Sequence, residues 1–293
     1  MRDAETITQA LGGRWSGRSG IACCPAHDDR SPSLSIANGH SGQLLLTCHA
    51  GCSFVHVLEA LKGLGLAGSQ EKYAPLSSEV VRKNREEERR QTLRRAEIAQ
   101  SVWKEAQPVC GTPGETYLRK RGITCPLPSS LRYLDRCWHP AAKQVPALIG
   151  YVGGTDTFAV HRTYLRIDGA GKTDLSPSKA MLGATKGGAV QLSNAPGRLV
   201  VTEGIETGLS LLSGLMHGPI EVWAALSASG MKSLYLPEHP GELVIAPDGD
   251  AVGREAAQVL AHRAYALGWH VSLLPAPDGY DWNDVLMGKA KAQ

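Results

Sequence analysis

The chain has 293 residues, which favours two or three domains over one, and its charged fraction of 20% is ordinary for a globular protein. A net charge of +3 gives no bulk argument for nucleic-acid binding, so any such argument has to rest on where the charges lie. No apolar segment follows Met1, and no apolar run approaches the ~20 residues of a membrane helix. We therefore expect a soluble, cytoplasmic protein with no membrane partner and with reduced or metal-bound cysteines.

Near the N terminus, two short segments rich in cysteine and histidine have the spacing of a structural zinc site. "CCPAHDDR" (23–30) and "CHAGC" (48–52) each offer a pair of ligands from a tight turn. The predicted ligands of a structural Zn²⁺ ion are Cys24, His27, Cys48 and Cys52. Cys23 and His49 are the nearest competitors, and unligated core thiols are the alternative. With a closing helix that places Val57 on its apolar face, residues 1–66 are predicted to form a small zinc-ribbon β domain.

A connector follows the predicted zinc domain. Residues 67–108 begin with a Gly, Ser and Pro-containing linker and continue as a highly charged helix that starts near Ser78 and stops before Pro108. Mixed charges along a helix with few apolar residues favour a solvated connector over a binding arm.

Charge is distributed unevenly over the rest of the chain. Residues 109–195 contain 11 Lys and Arg against 5 Asp and Glu, whereas residues 196–293 contain 6 against 11. The first of these regions has short, hairpin-like strand patterns and is predicted to be a basic α+β subdomain. The second alternates apolar strands with helices, which is typical of a parallel sheet in an α/β domain.

Carboxylates follow two of the predicted parallel strands. Glu203 comes directly after "RLVVT", and Asp248 and Asp250 come after "ELVIAP". Ligands bind at the carboxyl ends of strands in open α/β sheets, and Mg²⁺ prefers a few carboxylates together with waters and phosphate oxygens. We therefore predict a Mg²⁺ or Mn²⁺ site formed by these three residues. Asp281 in "DWNDVL" is a fourth candidate ligand, with a helix cap as its alternative.

These motifs resemble those of a known family. "VVTEGIETGLSL" followed by "LVIAPDGDAVGREAA" resembles a Toprim domain, which DnaG-type primases share with type IA and type II topoisomerases and some nucleases. "CPAHDDRSPSLSI…CHAGC" is similar to the zinc domain that begins DnaG-type and phage or plasmid primases. The resemblance implies a Rossmann-like parallel sheet and catalytic roles for Glu203, Asp248 and Asp250.

The basic region carries the same resemblance. "FAVHRTYLRIDGAGKTDLSPSKAMLG" is similar to the primase segment whose basic residues line the active site. This implies that Arg162 and Lys179 bind phosphates, with Lys172 and Lys186 as looser candidates. A solvated surface cation is the alternative for each of them.

One position departs from the family pattern. DnaG-type enzymes usually have an Asp four residues after the catalytic Glu, whereas this chain has Thr207 there and Glu206 one place earlier. The departure puts the ligand set of a second metal in doubt.

The leading hypothesis is a DNA primase that uses ribonucleoside triphosphates to make short RNA on a single-stranded DNA template, with a separate replicative helicase as a candidate partner. In the zinc domain, Trp15 and Arg30 are candidate contacts to the template, and packing is the alternative for Trp15. A Toprim-type nuclease and a catalytically weak DNA-binding accessory protein are the alternatives. A zinc domain ahead of the carboxylates favours priming.

Overall fold

The structure is a computed structural model, and its chain divides into two compact units, Met1–Val80 and Val81–Gln293. The residues it describes are 3–29, 31–39, 44–67 and 78–290. Within these ranges, no helix combines the length and the apolar character needed to cross a membrane.

The first unit is a four-stranded antiparallel sheet with two helices. Its elements are α1 (Ala4–Ala10), β1 (Arg14–Trp15), β2 (Ser19–Ala22), β3 (Leu34–Asn38), β4 (Leu44–Cys48) and α2 (Phe54–Gly63). The strands lie in chain order, and alternate residues of β2 and β4 are buried. This period of two gives the sheet one apolar face, against which α2 packs through Val57 and Leu61.

Helix α3 (Ser78–Glu105) has the extent that the sequence predicts. Residues 82–91 are exposed, as expected of a charged connector, but Ala99 is fully buried near the end of the helix. Ala99 belongs to one apolar cluster with Ile149 and Tyr164. The last turns of the connector therefore pack against the domain that follows.

An antiparallel sheet forms the first half of the second unit. Its elements are β5 (Gln107–Pro108), α4 (Pro113–Lys120), β6 (Leu131–His139), β7 (Lys143–Val152), β8 (Ala159–Tyr164) and β9 (Lys179–Leu182). Its five strands also lie in chain order. Every residue of β8 is buried, because α3 covers one face of this sheet and a second apolar core covers the other.

A mostly parallel sheet forms the second half, as the strand and helix alternation predicts. Its elements are β10 (Val190–Gln191), β11 (Arg198–Thr202), α5 (Ile205–Ser210), a π-helical turn (Leu211–Leu215), β12 (Ile220–Ala224), α6 (Ala228–Ser233), β13 (Glu242–Ala246), α7 (Ala251–Ala266), β14 (His270–Leu273) and α8 (Trp282–Leu286). The strand order is β10, β12, β11, β13, β14, and β10 alone runs antiparallel to its neighbour within the described sheet. The predicted mixed α/β class is confirmed.

The short strand β10 links the two halves. It lies within the predicted basic subdomain (109–195) and pairs with β12, with Val190 opposite Ala224. Val190 is fully buried in the core that also contains Leu148 of β7 and Val222 of β12. One apolar core is thus shared by the two sheets.

Candidate functional site

Four side chains of the first unit bring their donor atoms together. Cys24, His27, Cys48 and Cys52 each place one donor atom within 4.8 Å of the donor atoms of the other three. Among the described residues, this is the only group of three or more possible metal ligands that lie so close together. Nδ1 of His27 lies 3.3 Å from Sγ of Cys52 and 4.0 Å from Sγ of Cys48. Three thiols and one imidazole suit tetrahedral zinc. The sequence predicted these four ligands, and zinc binding by them stays a prediction.

Asp29 organises the loop that carries two of these ligands. Its Oδ2 accepts hydrogen bonds from the backbone N–H of Cys24 at 2.7 Å and from the hydroxyl of Ser33 at 2.6 Å. Its Oδ1 lies 3.8 Å from Nε2 of His27. The hydrogen bonds from Ser33 and Cys24 lower the pKa of Asp29 to about 2. An ionised carboxylate thus lies on the side of Nε2, while Nδ1 of the same ring faces the thiols.

The Cys48 thiol is prepared to ionise. Burial acts to raise its pKa, but the backbone N–H groups of Cys52 and Ala50 and the hydroxyl of Ser33 overcome this effect and lower the pKa to about 6. Burial raises the pKa of Cys24 to about 11. The thiolate is the form of cysteine that binds a metal.

The competing residues have other surroundings. His49 Nε2 lies 2.8 Å from the hydroxyl of Ser35, and Cys23 lies outside the four-residue group. Trp15 is partly buried against the core of the first unit, in keeping with the packing alternative. Arg30 lies outside the described residues, so its predicted role stays a prediction.

The second candidate site lies at the carboxyl edge of the parallel sheet. Strands β11 and β13 are adjacent and parallel, with Thr202 opposite Ala246, so the segments that follow them emerge side by side. Glu203 follows β11 directly, and Asp248 and Asp250 follow β13 after one proline. The topology thus brings together the three carboxylates that the sequence placed at strand ends.

The acidic groups at this edge affect one another's pKa values. Burial and the charge of Asp250 raise the pKa of Glu203. Burial, Glu203 and Asp281 together raise the pKa of Asp248 to about 7. Each carboxylate makes ionisation of the others more costly, and a divalent cation would relieve that cost. Strongly perturbed carboxylates in such a cluster are typical of functional sites.

Two of the acidic residues also begin helices. Oδ1 of Asp250 accepts a 2.6 Å hydrogen bond from the N–H of Gly253 and caps α7. Asp281 caps α8 in a reciprocal capping box with Asp284. The helix-cap alternative for Asp281 is therefore present, and its contact with metal stays a prediction. Among the described residues, the oxygens of Glu203, Asp248 and Asp250 do not all lie within 4.8 Å of one another, and Mg²⁺ binding by these residues stays a prediction.

Gly249 permits the turn between Asp248 and Asp250. Its N–H donates to the carbonyl of Tyr280 at 2.8 Å, and a Cβ at this position would lie 1.9 Å from the carbonyl oxygen of Pro277. The backbone segments meet too closely here for any other residue.

Glu206 has a role that the sequence analysis missed. Its Oε1 lies 2.9 Å from Nζ of Lys172 and accepts a 2.7 Å hydrogen bond from the hydroxyl of Tyr117, and its Oε2 lies 3.3 Å from Nζ of Lys179. Burial acts to raise the pKa of Glu206, but Lys179 and Lys172 hold it well below its usual range. The available signal was an acidic residue inside the apolar helix "IETGLSLL", since a buried carboxylate needs partners.

Lys179 lies between this carboxylate and the acidic edge. Burial acts to lower its pKa, but Glu206 and, more weakly, Asp248 raise it. Its charge in turn opposes the rise in the pKa of Glu203. The structure therefore brings one of the four predicted cations, Lys179, near the predicted metal site, and Lys172 shares the carboxylate of Glu206 with it.

The other two predicted cations have different surroundings. The guanidinium of Arg162 is buried and donates to the carbonyl oxygens of Trp138 at 3.0 Å and Met181 at 3.3 Å. Lys179 lies opposite Thr163 of β8 and shares a face of the sheet with it. Arg162 is the neighbour of Thr163 along the strand, so its side chain points to the other face. Lys186 is exposed and lines a cavity of about 390 Å³ together with Ser227. Phosphate binding by Arg162 and Lys186 stays a prediction.

Comparisons with known proteins agree with this architecture. Residues 198–292 match the family model described as the Toprim domain. Residues 93–192 match the model of a domain of unknown function, DUF7146. No curated protein matches the chain.

Several solved structures resemble it at low identity. The zinc-binding and RNA polymerase domains of the Aquifex aeolicus primase are 16% identical, with 97% of this chain and 79% of that chain covered and a TM-score of 0.42. A DNA primase domain from Pseudomonas aeruginosa is 14% identical, with 67% and 75% covered and a TM-score of 0.42. The primase fragment of the bacteriophage T7 primase-helicase protein is 16% identical, with 63% and 69% covered and a TM-score of 0.32.

Proposed function

We propose that this protein is a DNA primase that joins ribonucleotides into short RNA on single-stranded DNA. The observation that carries the proposal is the acidic edge of a Toprim domain facing a pair of lysines. Asp248, with a pKa raised to about 7 by burial and its acidic neighbours, lies within the electrostatic reach of Lys179. Carboxylates that attract a divalent ion, opposite cations that attract phosphates, are what metal-dependent nucleotidyl transfer needs.

In this proposal the carboxylates serve the metal and the lysines serve the phosphates, and Glu203 is also the candidate proton acceptor. Glu203, Asp248 and Asp250 would hold Mg²⁺ or Mn²⁺, which supplies charge neutralisation for the triphosphate and for the attacking hydroxyl. Lys172 and Lys179 would bind phosphate oxygens through N–H donors. The 3′ oxygen of one nucleotide forms a bond to the α-phosphorus of the next, pyrophosphate leaves, and Glu203 is the candidate acceptor of the hydroxyl proton.

The first unit would serve the template. A zinc ion on Cys24, His27, Cys48 and Cys52 would hold its two loops together, since metal binding of roughly 10–16 kcal/mol stabilises modules too small for a large core. The zinc module and Toprim domain occur in one chain in the primases that the sequence resembles. We include a separate replicative helicase as a candidate partner on the same basis.

The test uses the full chain with single-stranded DNA, four ribonucleoside triphosphates and Mg²⁺. We expect template-dependent short RNA from the wild type and none from Asp248→Asn/Asp250→Asn, a pair that keeps side-chain shape and the cap of α7. The control is Asp278→Asn, which changes an exposed carboxylate that pairs with Arg254. Cleaved DNA without RNA would replace the proposal with a nuclease. Binding without either reaction would replace it with an accessory protein.

A further inference from the structure

We propose that Glu206 is a positioning residue: its carboxylate holds the ammonium groups of Lys172 and Lys179 side by side as a clamp for substrate phosphates. This inference rests on the proposed function and adds to it a residue that takes no part in metal binding. Glu206 occupies the turn of α5 next to Glu203, but its side chain turns to the lysines. Its role would be to shape the cationic wall of the site.

The carboxylate is itself held rigidly. It is only 6% exposed, and the hydroxyl of Tyr117, which comes from α4, fixes Oε1. The two lysines come from different places, Lys179 from β9 and Lys172 from the hairpin that bridges back to Leu165. Glu206 is therefore the carboxylate that joins two otherwise independent side chains through one oxygen each.

Exposure separates the role of the lysines from that of the carboxylate. The side chains of Lys172 and Lys179 are 25% and 38% exposed, whereas that of Glu206 is 7% exposed. An ammonium group has three N–H donors, and each lysine uses only part of them on Glu206. The remaining donors can reach a ligand from solvent while Glu206 stays behind them.

Charge explains why such a brace is needed. Two ammonium groups that share a carboxylate repel each other, and in a half-buried site this repulsion is weakly screened. His161 faces the same region but is neutral, because burial and Lys179 lower its pKa to about 3. Without Glu206, the lysines would lose the carboxylate that holds them in a common position and that opposes the effect of burial on their pKa values.

This differs from a masking role, in which Glu206 would merely cancel positive charge and hinder anion binding. Masking predicts that Glu206→Gln strengthens nucleotide binding and raises the rate. Positioning predicts the opposite effect on rate, because donors stabilise the charge that develops in the transition state only when they are held in the right place.

The experiment compares Glu206→Gln, Glu206→Asp and Glu255→Gln. The last removes a glutamate from an exposed ion pair with Lys232 and serves as the matched control. We expect kcat of primer synthesis to fall about tenfold to a hundredfold in Glu206→Gln with little rise in the nucleotide KM, as for small misplacements of catalytic groups. Glu206→Asp should recover part of the loss, and Glu255→Gln should match the wild type. An unchanged or increased kcat in Glu206→Gln would overturn the inference.

A second measurement does not depend on activity. Inorganic triphosphate is added to ¹⁵N-labelled protein, and the Nζ resonances of Lys172 and Lys179 are followed by NMR. The wild type should show a shared titration in which both resonances shift as the ion binds, and Glu206→Gln should show only one of them shifting, because the displaced ammonium group no longer reaches the bound ion. Identical titrations in the two proteins would overturn the inference. Loss of RNA synthesis in the wild type itself, with the shared titration intact, would remove the proposed function and leave the clamp.

Discussion

The hydroxyl of Thr207 donates a hydrogen bond to Oδ1 of Asp248 over 3.3 Å. This contact lowers the pKa of Asp248, whereas burial, Glu203 and Asp281 raise it to about 7. The primases that the sequence resembles usually have a carboxylate at this position. In this chain the neutral Thr207 donates a hydrogen bond to Asp248. Glu206, one residue earlier, forms ion pairs with two lysines.

Thr207→Val should weaken metal binding near neutral pH. Valine keeps the shape but removes the donor, so the pKa of Asp248 should rise further and more of the group should be protonated at pH 7. Titration of the protein with Mn²⁺ by calorimetry at pH 7 and pH 9 measures the effect, which should shrink at the higher pH. Thr157→Val is the control, since its buried hydroxyl has no hydrogen-bond partner within the described structure. If Thr207→Val bound Mn²⁺ as tightly as the wild type at both pH values, the role of Thr207 would be contradicted.

Asp248→Asn should stabilise the metal-free protein in alkaline buffer. The pKa of Asp248 is raised from 3.8 to about 7 by burial first and by its acidic neighbours second. The folded state therefore binds a proton that the unfolded chain releases between these values, and wild-type stability falls as pH rises through this window. Asp248→Asn cannot bind this proton, so its free energy of unfolding should not show this fall with pH. The fall in the wild type is up to roughly 4 kcal/mol, at about 1.4 kcal/mol per pKa unit. Thermal unfolding in EDTA at pH 5 and pH 8 should show the larger gain at pH 8; a gain independent of pH would contradict it.

Cys48→Ser should remove bound zinc, and Cys23→Ser should not. Both change one thiol in the same unit, but Cys23 lies outside the group whose donor atoms lie within 4.8 Å of one another. The purified wild type and Cys23→Ser should each contain close to one zinc per molecule, whereas Cys48→Ser should contain close to none. Asp29→Asn should keep the metal with roughly 10- to 100-fold lower affinity, since it loses the carboxylate behind His27. Zinc retained by Cys48→Ser would mean a different ligand set.

Gly249→Ala should disrupt the acidic edge while leaving most of the fold intact. The added Cβ would lie 1.9 Å from the carbonyl oxygen of Pro277, so the turn has to shift. Gly241→Ala is the control, because its Cβ would meet only the Trp269 ring at 3.9 Å. We expect Gly249→Ala alone to lose Mn²⁺ binding, measured by calorimetry beside circular dichroism. Normal binding by Gly249→Ala would show that the turn geometry is not needed.

Arg162→Met should lower the free energy of unfolding. The guanidinium satisfies the carbonyl oxygens of Trp138 and Met181 inside the sheet, and leaving those groups unpaired costs about 1–3 kcal/mol. Urea unfolding measures the difference in free energy. A variant of normal stability that binds inorganic triphosphate more weakly would favour the phosphate-binding role expected from the sequence.

The sequence predicts best what depends on short spacing. The four donor residues of the first unit and the three carboxylates at strand ends are readable because each set follows a turn or a strand directly. The helix α3 is readable because its charged pattern is long and uninterrupted. In these cases the local sequence identifies the candidate residues, and the fold brings them together.

The rest depends on pairing between distant strands. Lys179 lies opposite Thr163, and Arg162 lies opposite Ala180, so neighbouring residues of β8 serve opposite faces of the sheet. A shift of register by one residue would exchange them, and the sequence carries no local sign of the register. For the same reason the ion pairs of Glu206 with two lysines, 27 and more residues away along the chain, were not predictable.

The short strand β10 has a consequence for how the chain can be divided. It precedes the residues that match the Toprim family, yet it completes the edge of that sheet by pairing with β12. A fragment cut at the family boundary would leave the backbone of Ile220–Ala224 bare on one side, an open edge that invites association with other chains. Expression of the acidic half as an independent piece should begin before Val190, or aggregation will obscure what the fragment binds.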